Sequence, residues 1–157
     1  MSEPSIQSTF VVERTYPVPP SKVFEAFTDP GVKRRWFAEG LGHDVEHFET
    51  DGSVGGVERL RYRLNETSPF PGLVIEFDGR ILDIVTDERI VAASSMAFQG
   101  KCVSAALVTV EFTPTGEGTA VVCTHHGAYF EGADGPQIRE GGWQKLFDKL
   151  GAALTGG

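Results

Sequence analysis

The sequence contains no apolar run that approaches the ~20 residues of a membrane-spanning helix. Residues 1–8 also lack the basic and apolar segments of a secretory signal, so we expect neither membrane insertion nor secretion. Basic residues are few: 14 Lys and Arg against 22 Asp and Glu give a formal charge of −8. Nucleic-acid binding, which needs a concentrated basic surface, is therefore not expected.

Cysteine is scarce, since Cys102 and Cys123 are the only two. Both fall in runs predicted to pair as antiparallel strands around a turn at 114–118. That register places Cys102 opposite Tyr129 and Cys123 opposite Val108, too far apart along the ladder for a disulfide. We expect both thiols to be reduced and buried, and the absence of a secretion signal then favours a cytoplasmic location.

The length of 157 residues predicts one domain covering residues 1–157, with its core at about 10–154. Apolar residues make up 40% and charged residues 23%, which is typical of a globular protein. A chain of this size buries roughly 68–70% of its unfolded surface, so its core needs no metal or disulfide.

β-rich runs separated by turns dominate the chain. The run 57–64 alternates cleanly, with Leu60 and Tyr62 on one face and Arg59, Arg61 and Arg63 on the other. Such alternation is typical of an antiparallel sheet with one wet face, where the arginines would pair with acidic neighbours. The short turns favour a meander of consecutive strands. The predicted strands are 10–16, 45–50, 57–65, 73–85, 89–98, 103–113 and 119–129.

Three helices complete the pattern. The first is predicted at 21–27, and the second begins after Asp29 with Pro30 in its first turn and ends near Trp36. Lys33, Arg34 and Arg35 are interpreted as an exposed face of this second helix. The last helix follows Pro136 and carries a broad apolar stripe at helical spacing, formed by Trp143, Leu146, Phe147, Leu150 and Leu154.

Seven strands require their apolar face to be covered, and the C-terminal helix is the one element long enough to do so. A single helix does not fill the concave side of a twisted sheet of that width. The sequence therefore predicts a cavity between the sheet and this helix, which is the main functional indication that it carries.

Five pairs or runs of residues resemble, in the same order, the signature segments of one family. They are Thr-Asp-Pro at 28–30 with Arg-Trp-Phe at 35–37, Ser-Val-Gly-Gly at 53–56, the pair 78–84 and 88–91, Gly-Thr and Thr-His at 118–125, and the helical residues 142–150. The family is that of the activator of the heat-shock-protein-90 ATPase, specifically its C-terminal domain. The resemblance covers about residues 10–154.

This resemblance implies an α+β helix-grip fold of the START-like, pollen-allergen-like superfamily (SRPBCC). A seven-stranded antiparallel sheet would wrap around the long C-terminal helix, with two short helices between strands 1 and 2. The superfamily includes lipid carriers, hormone receptors, cyclases and aromatases, so the fold does not choose among them. The resemblance also implies a chaperone-associated, stress-linked role, although this chain has no room for the separate N-terminal domain of the eukaryotic activator.

His125 is the candidate polar group of the cavity. Strand parity places it on the same face as Val121 and Cys123, which predicts an inward orientation. It could hydrogen-bond a ligand or act as a general base, or it could be an ordinary core histidine satisfied by a neighbour. The predicted ligand-binding set consists of this histidine and the aromatic residues of the cavity wall: Trp36, Phe37, Tyr62, Phe77, Phe98, His125, Tyr129, Trp143 and Phe147.

No metal site, cofactor or catalytic residue is predicted. His126 points to the face opposite His125, and His43 and His47 would lie some 13 Å apart along a strand. The motifs of nucleophile elbows, phosphate loops and zinc proteases are absent from the sequence.

The sequence thus predicts non-enzymatic binding of a small apolar or amphipathic ligand by a monomer or homodimer. The first alternative is a chaperone-associated interaction protein with a chaperone as its partner. The second is a cyclase- or hydrolase-type enzyme that uses His125.

Overall fold

The structure is a computed structural model that describes residues 3–156. Its helices are α1 (Pro20–Thr28), α2 (Pro30–Lys33) and α3 (Pro136–Leu154), and a π-helical turn follows α2 at Arg34–Ala38. Its strands are β1 (Ile6–Tyr16), β2 (His43–Thr50), β3 (Val57–Leu64), β4 (Val74–Val85), β5 (Arg89–Phe98), β6 (Lys101–Pro114) and β7 (Thr119–Tyr129).

The seven strands form one antiparallel sheet in the order β1-β7-β6-β5-β4-β3-β2. Strands β2 to β7 are a meander, and β1 pairs with β7 at the far edge. The predicted helix-grip α+β architecture is confirmed, including the two short helices between β1 and β2. A bulge between Val45 and His47 interrupts the β2–β3 ladder, so the side chains of β2 do not follow simple alternation along its whole length.

The register of the β6–β7 hairpin differs from the predicted one by two residues. Pro114 pairs with Thr119, because the turn is closed by a bond from the Thr115 N–H to the Gly118 carbonyl, 2.8 Å long. Cys123 consequently lies opposite Val110. Both cysteines are free, as expected, but Cys102 is exposed and only Cys123 is buried.

The outer face of the sheet carries the arginine row of β3. Arg61 and Arg63 both bond to Glu46 at 2.9 Å, and Arg59 lies 3.4 Å from Glu49. All three arginines are nearly half exposed, and pairs of this kind contribute little to stability. The interpretation of this row as a solvated face is confirmed.

Local sequence explains the short helices. Pro20 occupies the first turn of α1, and Asp29 caps α2 by accepting a bond from the Val32 N–H, 3.1 Å long. The chain then widens into the π-helical turn, closed by a 3.0 Å bond from the Glu39 N–H to the Arg34 carbonyl.

The core occupies one half of the concave face. There α3 packs against β1, and the Tyr16 hydroxyl donates a 2.7 Å bond to the Phe147 carbonyl. Phe147 and Leu150 are fully buried, and Phe27 meets both Phe112 and Phe147 edge-to-face. Because α3 packs against β1 at this half, its side chains leave a gap above β3, β4 and β5.

Candidate functional site

A cavity of about 680 Å³ lies between α3 and the half of the sheet that the core does not fill. Its floor is formed by apolar side chains of β3, β4 and β5, and the π-helical turn and α3 supply the opposite wall. The floor residues are Leu60, Tyr62, Ile75, Phe77, Met96 and Phe98. The volume lies within the range of small-molecule pockets.

Aromatic rings meet across the cavity at the π-helical turn. Phe37 lies 5.3 Å from Phe77 on the sheet and 6.5 Å from Trp143 on α3, measured between ring centroids. The planes of Phe37 and Phe77 are inclined by 69°, and those of Phe37 and Trp143 by 59°. The wall therefore presents both ring edges and ring faces to the cavity. The turn contains the Arg-Trp-Phe segment at 35–37, and the Thr-Asp-Pro segment at 28–30 precedes it along the chain.

One end of the cavity is polar. Arg139, on the first turns of α3, is only 7% exposed and forms two bonds to the Asp134 carboxylate, 2.7 and 2.9 Å long. Its guanidinium also donates a 3.0 Å bond to the Ser104 hydroxyl and lies 5.2 Å from the centroid of the Tyr129 ring. The arginine charge is therefore neutralised within the protein by a bidentate carboxylate.

His125 borders this polar end from β7. Its ring stacks on Phe10 at 4.5 Å and meets Trp143 edge-on at 5.8 Å. Burial, together with the nearby positive charge of Arg139, lowers the pKa of His125 to about 4, so the ring is neutral at physiological pH. Within residues 3–156, the Nδ1 atom has no hydrogen-bond partner on another residue.

Tyr129 contributes a second buried polar atom without a partner in the described part of the chain, its hydroxyl oxygen. Its side chain is 2% exposed, and burial raises the pKa of this phenol. A Cβ built on Gly127 would lie 3.0 Å from this oxygen and 2.9 Å from Cε1 of His125. The two rings therefore occupy the space that a side chain at residue 127 would need.

The structure places six of the nine predicted residues on the cavity wall: Phe37, Tyr62, Phe77, Phe98, His125 and Trp143. Trp36 lies instead in the core, where its Nε1 donates a 2.8 Å bond to the Ala26 carbonyl. Phe147 is also core, because it lies on the part of α3 that faces β1. Tyr129 lies behind the wall, beneath Arg139.

Sequence reasoning missed several lining residues, among them His43, Met96, Asp134, Arg139 and Lys149. The helical spacing contained a signal for Arg139, since it precedes Trp143 by four residues on the same face of α3. His43 stacks at 4.5 Å on Tyr62, and its Nε2 lies 2.6 Å from the Ala38 carbonyl. Its ring reaches the cavity from the first residue of β2, ahead of the bulge.

Among residues 3–156, no group of three or more His, Cys, Asp or Glu side chains converges as metal ligands would. None of the helices described is both long and apolar enough to cross a membrane.

This sheet, the single long helix gripped by it and the cavity between them define a helix-grip protein of the START-like class. Residues 17–155 match the family described as Activator of Hsp90 ATPase homolog 1-like protein, and the chain belongs to this family. The resemblance noted in the sequence is thereby confirmed. No curated protein matches the chain.

Several solved bacterial structures are similar to the chain. A protein from Rhizobium loti is 40% identical with a TM-score of 0.82, and the match covers 96% of this chain and 99% of that one. A protein from Rhizobium leguminosarum is 29% identical with a TM-score of 0.91, covering 100% and 99% of the two chains. A protein from Chromobacterium violaceum, 24% identical with a TM-score of 0.76 over 93% and 96%, shares the fold.

Proposed function

We propose that the protein binds a small apolar or amphipathic molecule in the cavity between α3 and the sheet, without transforming it. The observation that carries this proposal is an apolar, aromatic-walled space of about 680 Å³ whose one end holds His125 and the Arg139–Asp134 pair. Pockets that bind small molecules share this design, in which apolar walls supply affinity and a few polar groups fix orientation.

The energetics favour an occupant. Water in an apolar cavity that opens to solvent makes few hydrogen bonds to the walls, so its replacement by an apolar guest is favourable. A guest that covers Phe37, Phe77 and Trp143 would also bury its own apolar surface, which stabilises the complex by roughly 25 cal/mol per Å² before the costs of association.

An opening to solvent lies between the β3–β4 loop and the start of α3. Phe70 in that loop and Ile138 on α3 both line the cavity and are each 68% exposed. Exposed apolar side chains at the rim of an apolar cavity are suited to first contact with a hydrophobic guest. Gly142, also on the lining face of α3, has no atom within 4 Å of its ideal Cβ position and leaves further space.

The surroundings of His125 support binding over catalysis. A general base works best with a pKa near the operating pH, whereas burial holds the pKa of this ring at about 4. Within residues 3–156, no carboxylate hydrogen-bonds to the ring, and the cavity carboxylate Asp134 is held by Arg139. The enzyme alternative predicts that His125→Ala abolishes a turnover while the fold persists.

Two neighbouring glycines of α3 provide the test. Gly142 lines the cavity and Gly141 does not, yet both have open space at their Cβ positions. Gly142→Leu and Gly141→Leu gain similar helix propensity, but only the first substitution fills the cavity. We expect the uncharged fluorophore phenylnaphthylamine to bind the unmodified protein and Gly141→Leu, and to bind Gly142→Leu at least tenfold more weakly. Equal binding by all three, or none by any, would refute the proposal.

A chaperone-associated role is the second candidate, and the family description supports it. It predicts stimulation of a heat-shock-protein-90 ATPase by the purified protein, with no dependence on the fluorophore or on Gly142. A cytoplasmic location is part of both proposals, since the exposed free thiol of Cys102 suits a reducing compartment.

A further inference from the structure

One face of α3 runs along the cavity, with a basic residue at each end of it. The residues of this face that line the cavity include Arg139, Gly142, Leu146 and Lys149. Lys149 lies ten residues beyond Arg139 on the helix, about 15 Å along the helix axis. The cavity therefore has a second polar end, at Lys149.

The Lys149 ammonium lies where the aromatic wall of the π-helical turn ends. It donates to the carbonyl of Glu39, the residue that follows this turn and lies two positions after Phe37. His43, another lining residue, is close by: a Cβ built on Gly40 would lie 3.5 Å from Nζ of Lys149 and 3.4 Å from Nδ1 of His43. An ammonium has three donors, so two remain beyond the Glu39 bond for a guest that packs on Phe37.

The charge of this ammonium is not balanced by a neighbouring carboxylate. Within residues 3–156, no carboxylate forms an ion pair with Lys149, and the carboxylate of Glu39 is bonded to Arg34 at 3.0 Å. Burial lowers the pKa of Lys149, because the half-buried charged form loses hydration, and the charge of Glu39 opposes this to a smaller extent. The protein therefore compensates this charge only in part.

The cavity wall consequently carries an excess positive charge. It has three charged side chains in the described residues, of which Asp134 and Arg139 neutralise each other, leaving that of Lys149. This excess stands out in a chain whose formal charge is −8. A single positive charge matches a monoanion, and hydrogen bonds between an ammonium and a carboxylate are roughly twice as strong as neutral ones. Because Lys149 is only half buried, a bound carboxylate keeps part of its hydration.

We propose, on the basis of the binding function above, that the ligand is an amphipathic monocarboxylate whose carboxylate accepts hydrogen bonds from the Lys149 ammonium. The apolar part of the molecule lies against Phe37 and Trp143. The cavity thus selects hydrophobic acids over neutral molecules of the same shape.

The test compares naphthoate with naphthamide, substituted at the same ring position. The amide has nearly the shape of the carboxylate but no charge. Each is titrated as a competitor of bound phenylnaphthylamine, and the ratio of the two affinities measures the preference for the anion. In the unmodified protein naphthoate should bind about tenfold more tightly than naphthamide.

A matched pair of lysines assigns this preference to its residue. Lys149→Met keeps the apolar stem and removes the ammonium, so the preference should fall to about twofold or less while phenylnaphthylamine still binds. Lys145→Met removes the same charge from an exposed position one turn earlier on α3, outside the cavity wall, and should leave the preference unchanged. Lys149→Arg restores a cation and should retain most of it. Lys149→Gln repeats the test should the methionine variant not fold.

The outcomes separate this inference from the function on which it rests. If phenylnaphthylamine binds but naphthoate competes no better than naphthamide, the cavity does not select anions and the inference is wrong. It is also wrong if the preference survives Lys149→Met, or if Lys145→Met reduces it equally. If no fluorophore binds, the proposed function fails and the inference fails with it.

Discussion

The ammonium group of Lys33 on α2 donates to the carboxylate of Glu58 on β3, and both side chains are less than one-tenth exposed. The Thr50 hydroxyl donates a second bond to this carboxylate, 2.7 Å long. The ammonium also lies 4.8 Å from the centroid of the Phe37 ring. This pair attaches the short helices to the sheet and holds Phe37 in the cavity wall.

Removing one partner of this pair should be strongly destabilising. Lys33→Met leaves the Glu58 carboxylate buried without its counter-ion, and we expect the free energy of unfolding to fall by about 3–5 kcal/mol. The double variant Lys33→Met with Glu58→Leu should recover much of that loss, because both desolvated charges are gone. Urea unfolding of the unmodified protein, Lys33→Met and the double variant gives the comparison. A loss under about 1 kcal/mol for the single variant would show that the pair is not buried.

The β6–β7 turn abuts the end of β1, and Gly118 is the point of contact. A Cβ on Gly118 would lie 2.0 Å from the carbonyl oxygen of Tyr16, which is backbone and does not rotate away. Gly118→Ala should therefore lower the free energy of unfolding by about 1–3 kcal/mol or more. Gly116, in the same turn, has open space and serves as the control. Equal stability of Gly116→Ala and Gly118→Ala would contradict this docking.

Acid should destabilise the protein through His125. The unfolded chain takes up this proton near pH 6.5, whereas the folded protein resists it until the pH approaches 4. The unfolded state therefore binds more protons between these values, and the free energy of unfolding falls as the pH is lowered through this window, by up to about 3 kcal/mol. Above about pH 7 the contribution is constant, and below about pH 4 no further loss arises from this group.

The His125→Phe variant isolates this dependence. It lacks the titrating ring, so its stability should fall less steeply than that of the unmodified protein between about pH 7 and about pH 4.5. His126→Phe removes a histidine from the exposed face and should retain the steeper dependence. Parallel curves for the unmodified protein and His125→Phe, measured by urea unfolding, would show that the buried ring does not titrate as described.

Neutralising Asp134 should change the charge preference of the cavity. In Asp134→Asn the Arg139 guanidinium keeps its position beside Ser104 but loses its counter-ion, so a carboxylate on the guest can replace it. Naphthoate, titrated as a competitor of bound phenylnaphthylamine, should bind Asp134→Asn about tenfold more tightly than it binds the unmodified protein, while the affinity for naphthol changes by less than about threefold. Glu131→Gln, an exposed change in the same loop, is the control. An unchanged affinity for naphthoate would mean that Asp134 does not set the charge of the site.

Much of the fold could be predicted because its signals are local. Alternation along β3 and β7 identified the inward faces, and the spacing from Trp143 to Leu154 identified the long helix. The inward position of His125 also followed from parity alone. The register of β6 against β7 was wrong by two residues, because it depends on the turn closing at Thr115 and Gly118.

The errors concern contacts between residues distant in sequence. Lys33 was expected on an exposed face, yet it is buried, because its partner Glu58 comes from a strand 25 residues later. Arg139 was overlooked since a charged residue in a helix is ordinarily exposed, and its burial depends on Asp134 and Ser104. The predicted ligand-binding residues include two, Trp36 and Phe147, that lie in the core instead of the cavity wall. Which aromatic residues face the cavity depends on where α3 crosses the sheet, and no local sequence pattern specifies that position.

A crystal structure of the protein purified without added ligand tests the central claim most directly. We expect electron density not belonging to the chain between Phe77 and Trp143. A cavity collapsed onto itself, with the Phe37 and Trp143 side chains filling the space beneath α3, would contradict the account.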